Sequence, residues 1–193
     1  MKSIAVFCGS SLGTAPIFEK TARQLGEILA QKQTTLVYGG GKLGLMGVVA
    51  NAVMEHGGQV IGVIPRFLST KEVAHEGITD LIMVETMHER KLKMSDLCEG
   101  VIVLPGGFGT LDELAEMLTW AQLGLHQKPI GILNVEGYYD PLENLFRTME
   151  ENGLLKTINR KIALFADNLE ELFTLMENYR PIPVKKWLDK EQT

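Results

Sequence analysis

Six short runs of apolar residues on consecutive positions, most of them followed by a longer stretch with helical spacing, restrict this chain more than any other feature. The runs are SIAVFC (3–8), TTLVYG (34–39), QVIGVI (59–64), LIMVE (81–85), GVIVLP (100–105) and KPIGIL (128–133). A strand with one wet face alternates apolar and polar residues, whereas a strand covered on both faces does not. These runs therefore predict strands buried on both sides, as in a parallel sheet. A weaker run, KIALFA (161–166), predicts a further strand at an edge.

The intervening segments carry the other period. Within 15–32, Phe18, Ala22, Leu25 and Leu29 recur at three-to-four spacing and form one apolar stripe. Helical patterns follow over 44–58, 87–98, 110–124, 141–153 and 168–179. The first of these closes on Gly57 and Gly58, a pair suited to a helix C-cap. Strand then helix, repeated, predicts an α/β fold in one domain spanning 1–193. Its core is an open parallel sheet of six to seven strands with helices on both faces. The last segment, RPIPVKKWLDKEQT, turns polar and carries two prolines, so it reads as surface chain.

Composition excludes several classes. Apolar residues make up 45% of 193 residues and the formal net charge is −5, which argues against general nucleic-acid affinity, since that needs a basic face. No apolar run approaches the roughly 20 residues that span a bilayer. The opening MKSIAVFCGSSLG has too short an apolar part for a signal peptide. Cys8 and Cys98 stand far apart and read as reduced core thiols of a cytoplasmic protein.

Three of the predicted strands end in glycine-rich turns: CGSS (8–11), YGGGKLGLMG (38–47) and PGGFGT (105–110). Ligands of open parallel sheets bind at the carboxyl ends of strands. Glycines there let backbone N–H groups approach a ligand closely, and a following helix adds unpaired N–H groups and partial positive charge. Gly9, Ser10, Gly39, Gly40, Gly41 and Gly106 are therefore candidates for holding a phosphate. GGGKLG (39–44) matches the dinucleotide fingerprint G-x-G-x-x-G, but the next strand ends in Pro65 and Arg66 where an acid should hold the ribose. The P-loop pattern fails too, because Leu36 occupies its first glycine position and Leu43 follows Lys42. A mononucleotide remains.

Two segments carry charge next to these turns. Arg90 and Lys91 of MHERKLKM lie just past a strand end, where they face either the cleft or solvent. Arg provides a rigid fork of donors for phosphate or carboxylate. Thr110 and Glu113 match Thr-x-x-Glu, so Glu113 either caps its helix or presents an ionised carboxylate to a sugar carbon that becomes positive. Asp112 reads as a charge at the helix N-terminus, and Trp120 as core or interface. His56, His75, His88 and His126 show no metal-ligand spacing, and no G-x-S-x-G elbow occurs.

The stretches VYGGGKLGLMG (37–47), MHERK (87–91), PGGFGTLDE (105–113) and WAQLGLHQKPIGILNVEGYYDPL (120–142) resemble the LOG ("lonely guy") family, from about residue 3 to at least 155. These are cytokinin riboside 5′-monophosphate phosphoribohydrolases. The resemblance implies a Rossmann-like fold and a homodimer. It also implies cleavage of the N-glycosidic bond of a nucleoside 5′-monophosphate, N6-modified or AMP itself, to free base and ribose 5-phosphate. No metal or cofactor is implied. The catalytic pair carries over to Arg90 and Glu113. Substrate contacts carry over to Glu72, Arg90, Lys91, Gly107, Phe108, Gly109, Thr110, Leu111, Asp112, Glu113 and Thr119. Some members bear an older lysine decarboxylase label, yet nothing in this sequence resembles a pyridoxal-phosphate site. Two rival readings keep the same fold: a non-catalytic nucleotide or molybdopterin-cofactor carrier, and an NADP-binding reductase that uses Arg66 for the extra phosphate.

Overall fold

The computed structural model of the chain describes residues 1–69 and 74–181. Glu72 and nearly all of the polar C-terminal segment lie outside the described residues. The elements are β1 (Ser3–Phe7), α1 (Pro16–Gln31), β2 (Thr35–Tyr38), α2 (Gly44–Glu55), β3 (Val60–Pro65), α3 (Arg66–Ser69), β4 (Asp80–Val84) and α4 (Met87–Leu97). After these come β5 (Gly100–Val103), α5 (Phe108–Gln122), β6 (Ile130–Leu133), α6 (Asp140–Glu151), α7 (Thr157–Arg160), β7 (Ala163–Ala166) and α8 (Leu169–Asn178). All seven expected strands form, the weak run at 161–166 included. The short α3 and α7 had no signature, since four residues are too few to show a period.

The seven strands make one sheet in the order β4-β3-β2-β1-β5-β6-β7, and every pairing is parallel. Alternate side chains of one strand enter opposite cores. Ile4, Val6 and Cys8 of the first strand and its end pack with Leu25 and Leu29 of α1, Val49 and Val53 of α2, and Leu172 of α8. Ala5 and Phe7 pack with Met94 of α4 and with Leu114 and Met117 of α5. Both faces are covered, which is why the runs do not alternate. Each fully buried Leu or Ile contributes about 1.5–3 kcal/mol relative to exposure. The α2 helix ends at His56, and Gly57 follows with φ +74°, the left-handed turn expected of a C-cap glycine.

The topology also locates a crevice. The chain leaves β1 toward β2, β3 and β4 on one side, then returns to pair β5 with the other side of β1. The strand order reverses between β1 and β5, and ligand sites of such sheets lie outside the carboxyl ends of strands at that point. The turns after β1 and β5 meet there. Cys8 and Cys98 are both free thiols and both buried. Among the described residues no helix is long and apolar enough to cross a membrane.

Candidate functional site

A cavity of about 260 Å³ opens at this switch point. Cys8, Gly9 and Ser10 form one wall, and Gly107, Phe108, Gly109 and Thr110 form the other. Arg90, Asp112 and Glu113 supply its charge, and Met46, Leu68 and Met87 close it with apolar surface. The two walls are tied together: Gly9 N–H donates to the Pro105 carbonyl at 3.0 Å, and Leu45 N–H donates to the Gly9 carbonyl at 3.1 Å.

The helix behind the second wall starts earlier than Thr-x-x-Glu suggests. The N-cap of α5 is Gly107, with no side-chain cap, and Thr110 lies inside the first turn. Thr110 is buried against Gly106, where an added Cβ would collide with its hydroxyl. Glu113 is consequently in the second turn and cannot close a capping box with Thr110. The three glycines of PGGFG also differ in purpose. Gly106 is glycine because Thr110 and the Gly9 N–H crowd it. A Cβ on Gly107 or Gly109 would meet nothing within 4 Å, and neither has positive φ. Among the described residues no acceptor takes the N–H of Gly107, Phe108 or Gly109. The chain itself gives no reason for glycine at those two positions. Phe108, between them, is 93% exposed.

Arg90 is only 5% exposed, so it is not part of a solvated basic face. Its Nε donates to the Val63 carbonyl at 3.1 Å and its Nη2 to the Gly39 carbonyl at 2.7 Å, at the ends of β3 and β2. Charge-assisted bonds to backbone of this kind hold a guanidinium firmly. They also explain the glycines of the second turn, Gly39, Gly40 and Gly41, which do not line the cavity. A Cβ on Gly39 would collide with Arg90 Nη2, Gly40 has φ +77°, and Gly41 bridges to Ala74. That turn makes room for the arginine.

Adjacent in sequence, Arg90 and Lys91 part company in space. Lys91 reaches α5 and pairs with Asp112 and Glu116, both at 3.1 Å. Burial pulls the ammonium pKa down, but the two carboxylates outweigh it and hold it above its ordinary value. Asp112 thus lines the cavity while paired to Lys91. Cys8, read from sequence only as a core thiol, is also part of the cavity wall. Burial, with the Glu113 carboxylate adding to it, pushes the Cys8 thiol far up, so it stays a neutral S–H at neutral pH.

Besides Lys91, two further carried-over residues do not line the cavity. Leu111 packs into the core under α5. The Thr119 hydroxyl donates to the Ala115 carbonyl at 2.7 Å and faces a separate apolar cleft with Leu118 and Phe146. Arg66 pairs with Glu85 at 2.8 Å on the surface. The larger hollow of the molecule, about 580 Å³, is not at the switch point. It lies between α4 and the end of α5, lined by Leu92, Trp120, Leu125 and His88 among others. Its lining contains none of the glycine turns that follow β1, β2 and β5. The cavity at the switch point is smaller but is where the strand ends, the buried arginine and the helix N-terminus converge.

Residues 46–176 match a family model described as "Possible lysine decarboxylase". The chain is 46% identical over 180 residues to cytokinin riboside 5′-monophosphate phosphoribohydrolase LOG7 of Arabidopsis thaliana, covering 93% of this chain and 83% of that one. It is 43% identical over 180 residues to cytokinin riboside 5′-monophosphate phosphoribohydrolase LOG of Oryza sativa subsp. japonica, covering 93% and 74%. Among solved structures, the molybdenum cofactor binding protein of Rippkaea orientalis superposes with a TM-score of 0.67 at 22% identity, over 91% of this chain and 94% of that one. That likeness is one of fold. Nearly half of all positions shared along almost the whole length, together with the family match, show that the chain belongs to the LOG family.

Proposed function

We propose that the chain is a phosphoribohydrolase. Its substrates are adenosine 5′-monophosphates, N6-modified ones of the cytokinin class and AMP, and its products are the free base and ribose 5-phosphate. The observation that carries this reading is the pair Gly107 and Gly109, bare toward the cavity without any need inside the chain, at a helix N-terminus with Arg90 and Glu113 in the same walls. The names of the relatives give the substrate class.

In this reading the 5′-phosphate accepts from the N–H groups that open α5. Glu113 stands five residues beyond Phe108, about 7.5 Å along the axis at the rise of a helix, roughly the span of a ribose 5-phosphate. Its carboxylate stabilises the positive charge that grows on C1′ as the bond to the base breaks. Water adds to C1′, the electron pair of the broken bond goes to the base nitrogen, and one proton of the water ends on the base. Arg90, fixed by two carbonyls, orients the phosphate or the sugar. Lys91 acts by holding Asp112 in place. The contacts of Glu72 and Thr119 with substrate rest on the family resemblance alone.

The chain works in this reading as a single domain, in the cytoplasm, as a homodimer. The exposed Leu92 and the half-buried Trp120 and Leu125 around the large hollow give the dimer an apolar seam. Light scattering at micromolar concentration should return twice the chain mass, and a monomer mass would remove the seam. The carrier reading shares the fold but has no more than that, since the carrier likeness is at about one position in five. Incubation of the purified protein with AMP and with N6-isopentenyl-AMP, followed by separation of products, should show free base and ribose 5-phosphate. Adenosine, lacking the phosphate, should react far more slowly. Equal kcat/KM for adenosine and AMP would end the phosphate-cradle reading, and binding without release of base would return the chain to the carriers.

A further inference from the structure

The cavity wall has a support that neither the fold nor the catalytic pair requires. Three consecutive carbonyls at the end of β5 each accept from a different outside donor. The Leu104 carbonyl takes the Tyr139 hydroxyl at 2.8 Å, the Pro105 carbonyl takes Gly9 N–H at 3.0 Å, and the Gly106 carbonyl takes the Tyr138 hydroxyl at 2.7 Å. The first two bonds are buried strand-end contacts. The third is different, because Tyr138 is 43% exposed and its ring reaches over the surface to a glycine-glycine peptide.

Much of the local structure serves to aim that ring. Glu136 has φ +52° and Gly137 φ +72°, two successive left-handed residues that turn the chain just before the tyrosine. For Glu136 that conformation is strained. Tyr138 N–H donates to the Val135 carbonyl at 3.0 Å, and the ring sits edge-on to Phe18 at 5.6 Å and to Tyr139 at 4.9 Å. A peptide between two glycines lacks side chains to fix its plane and rotates at little cost. In a trans peptide the carbonyl and the N–H point in opposite directions, and the Gly106–Gly107 peptide is trans, since no peptide among the described residues is cis. Holding the Gly106 carbonyl toward Tyr138 therefore aims the Gly107 N–H the other way, and Gly107 lines the cavity.

We infer that Tyr138 is a positioning residue for the anion cradle: its hydroxyl locks the Gly106–Gly107 peptide so that the Gly107 N–H is presented to the substrate's phosphate. A donor on the carbonyl also polarises the peptide and strengthens the N–H as a donor. This rests on the phosphate site proposed above, but not on any chemistry at C1′.

Calorimetric titration with ribose 5-phosphate and with adenosine separates the two. In Tyr138→Phe the dissociation constant for ribose 5-phosphate should rise about fivefold, the scale of one lost hydrogen bond, while that for adenosine stays put. With AMP as substrate the loss should appear in KM rather than kcat. Tyr139→Phe is the control: it removes a hydroxyl from the buried Leu104 carbonyl, so it should lower the thermal midpoint without changing phosphate affinity. An unchanged ribose 5-phosphate affinity in Tyr138→Phe overturns the inference. So does an equal weakening of adenosine, or an equal loss in Tyr139→Phe. If the wild-type protein binds ribose 5-phosphate and shows this pattern but releases no base from AMP, the positioning role stands and the hydrolase reading falls. A wild-type protein that binds no ribose 5-phosphate overturns both.

Discussion

The turn after β2 and the turn after β5 carry the same signature, a cluster of glycines between a parallel strand and a helix, and they do opposite things. At Gly39 the space left by the missing side chain is occupied by the chain's own Arg90. At Gly107 and Gly109, which line the cavity, the space is left open, and among the described residues no backbone acceptor takes their N–H groups. One glycine cluster solves an internal packing problem, and the other leaves open space in a cavity wall. What a glycine leaves room for, rather than how many glycines there are, separates a supporting turn from a binding one.

Substitutions that add one methyl group test this contrast directly. The largest effect is expected at Gly39→Ala. The new Cβ displaces the Arg90 guanidinium, and the Val63 and Gly39 carbonyls lose their donor, at a cost of about 2 kcal/mol. The thermal midpoint should fall by roughly 6 °C, and kcat/KM for AMP by on the order of 10²-fold, the scale of a misplaced positioning group. A folded Gly39→Ala protein with normal stability and turnover would mean that the collision with Arg90 is easily relieved.

Next in size is Glu113→Gln, on the open side. Because α5 is capped at Gly107, Glu113 is free of any capping duty toward Thr110, and the exchange keeps its volume while removing the charge. Turnover should drop by on the order of 10²-fold, about 2.7 kcal/mol in the transition state, with nucleotide binding largely retained. Near-wild-type kcat would take the catalytic role from Glu113 and leave only the cradle.

The smallest effect, and the most discriminating, is expected at Gly109→Ala. This residue is in the first turn of a helix with ordinary φ and open space around it, so alanine should raise stability by up to about 1 kcal/mol. The same methyl group intrudes on the phosphate, and KM for AMP should rise about tenfold, the cost of about 1.4 kcal/mol of crowding. Stability up and affinity down in one variant is the opposite of what Gly39→Ala should show. If both glycine variants merely lose stability, the distinction between the two turns fails.

Much of this was legible beforehand, for reasons that can be traced. Consecutive apolar runs announced strands covered on both sides, which β1, β2, β3, β5 and β6 are, while the edge strands β4 and β7 are only partly covered yet keep enough apolar residues to be read. PGGFGT and MHERK were recognisable as local strings, and Arg90, Gly107 and Glu113 do line one cavity. The start of α5 was misplaced by three residues. Thr110 followed by Glu113 imitates a capping box, and only the crowding at Gly106 shows that the threonine faces inward. Cys8 looked like pure core because a thiol in an apolar run gives no sign of standing at a cavity wall. Met46, Met87 and Tyr138 lie in the stretches that carry the family resemblance, but nothing in the sequence singled them or Leu68 out as residues of the site. Their roles depend on which strand ends are neighbours, and the paired tyrosines of EGYYDPL look from sequence like any aromatic pair after a strand.

By itself the sequence determined the elements, their parallel arrangement and the glycine-rich turns at one edge of the sheet, because hydrophobic period and glycine placement act over a few residues and need no knowledge of neighbours. Tertiary structure alone decided which glycine turn became a wall and which became a socket, that Arg90 is buried on carbonyls while Lys91 turns away to Asp112 and Glu116, and that Thr119 points into another cleft. These outcomes depend on β5 returning to the far side of β1, which brings residues about a hundred positions apart, Cys8 and Glu113 among them, into one cavity. No local pattern encodes that distance, since it is set by the packing of the whole sheet.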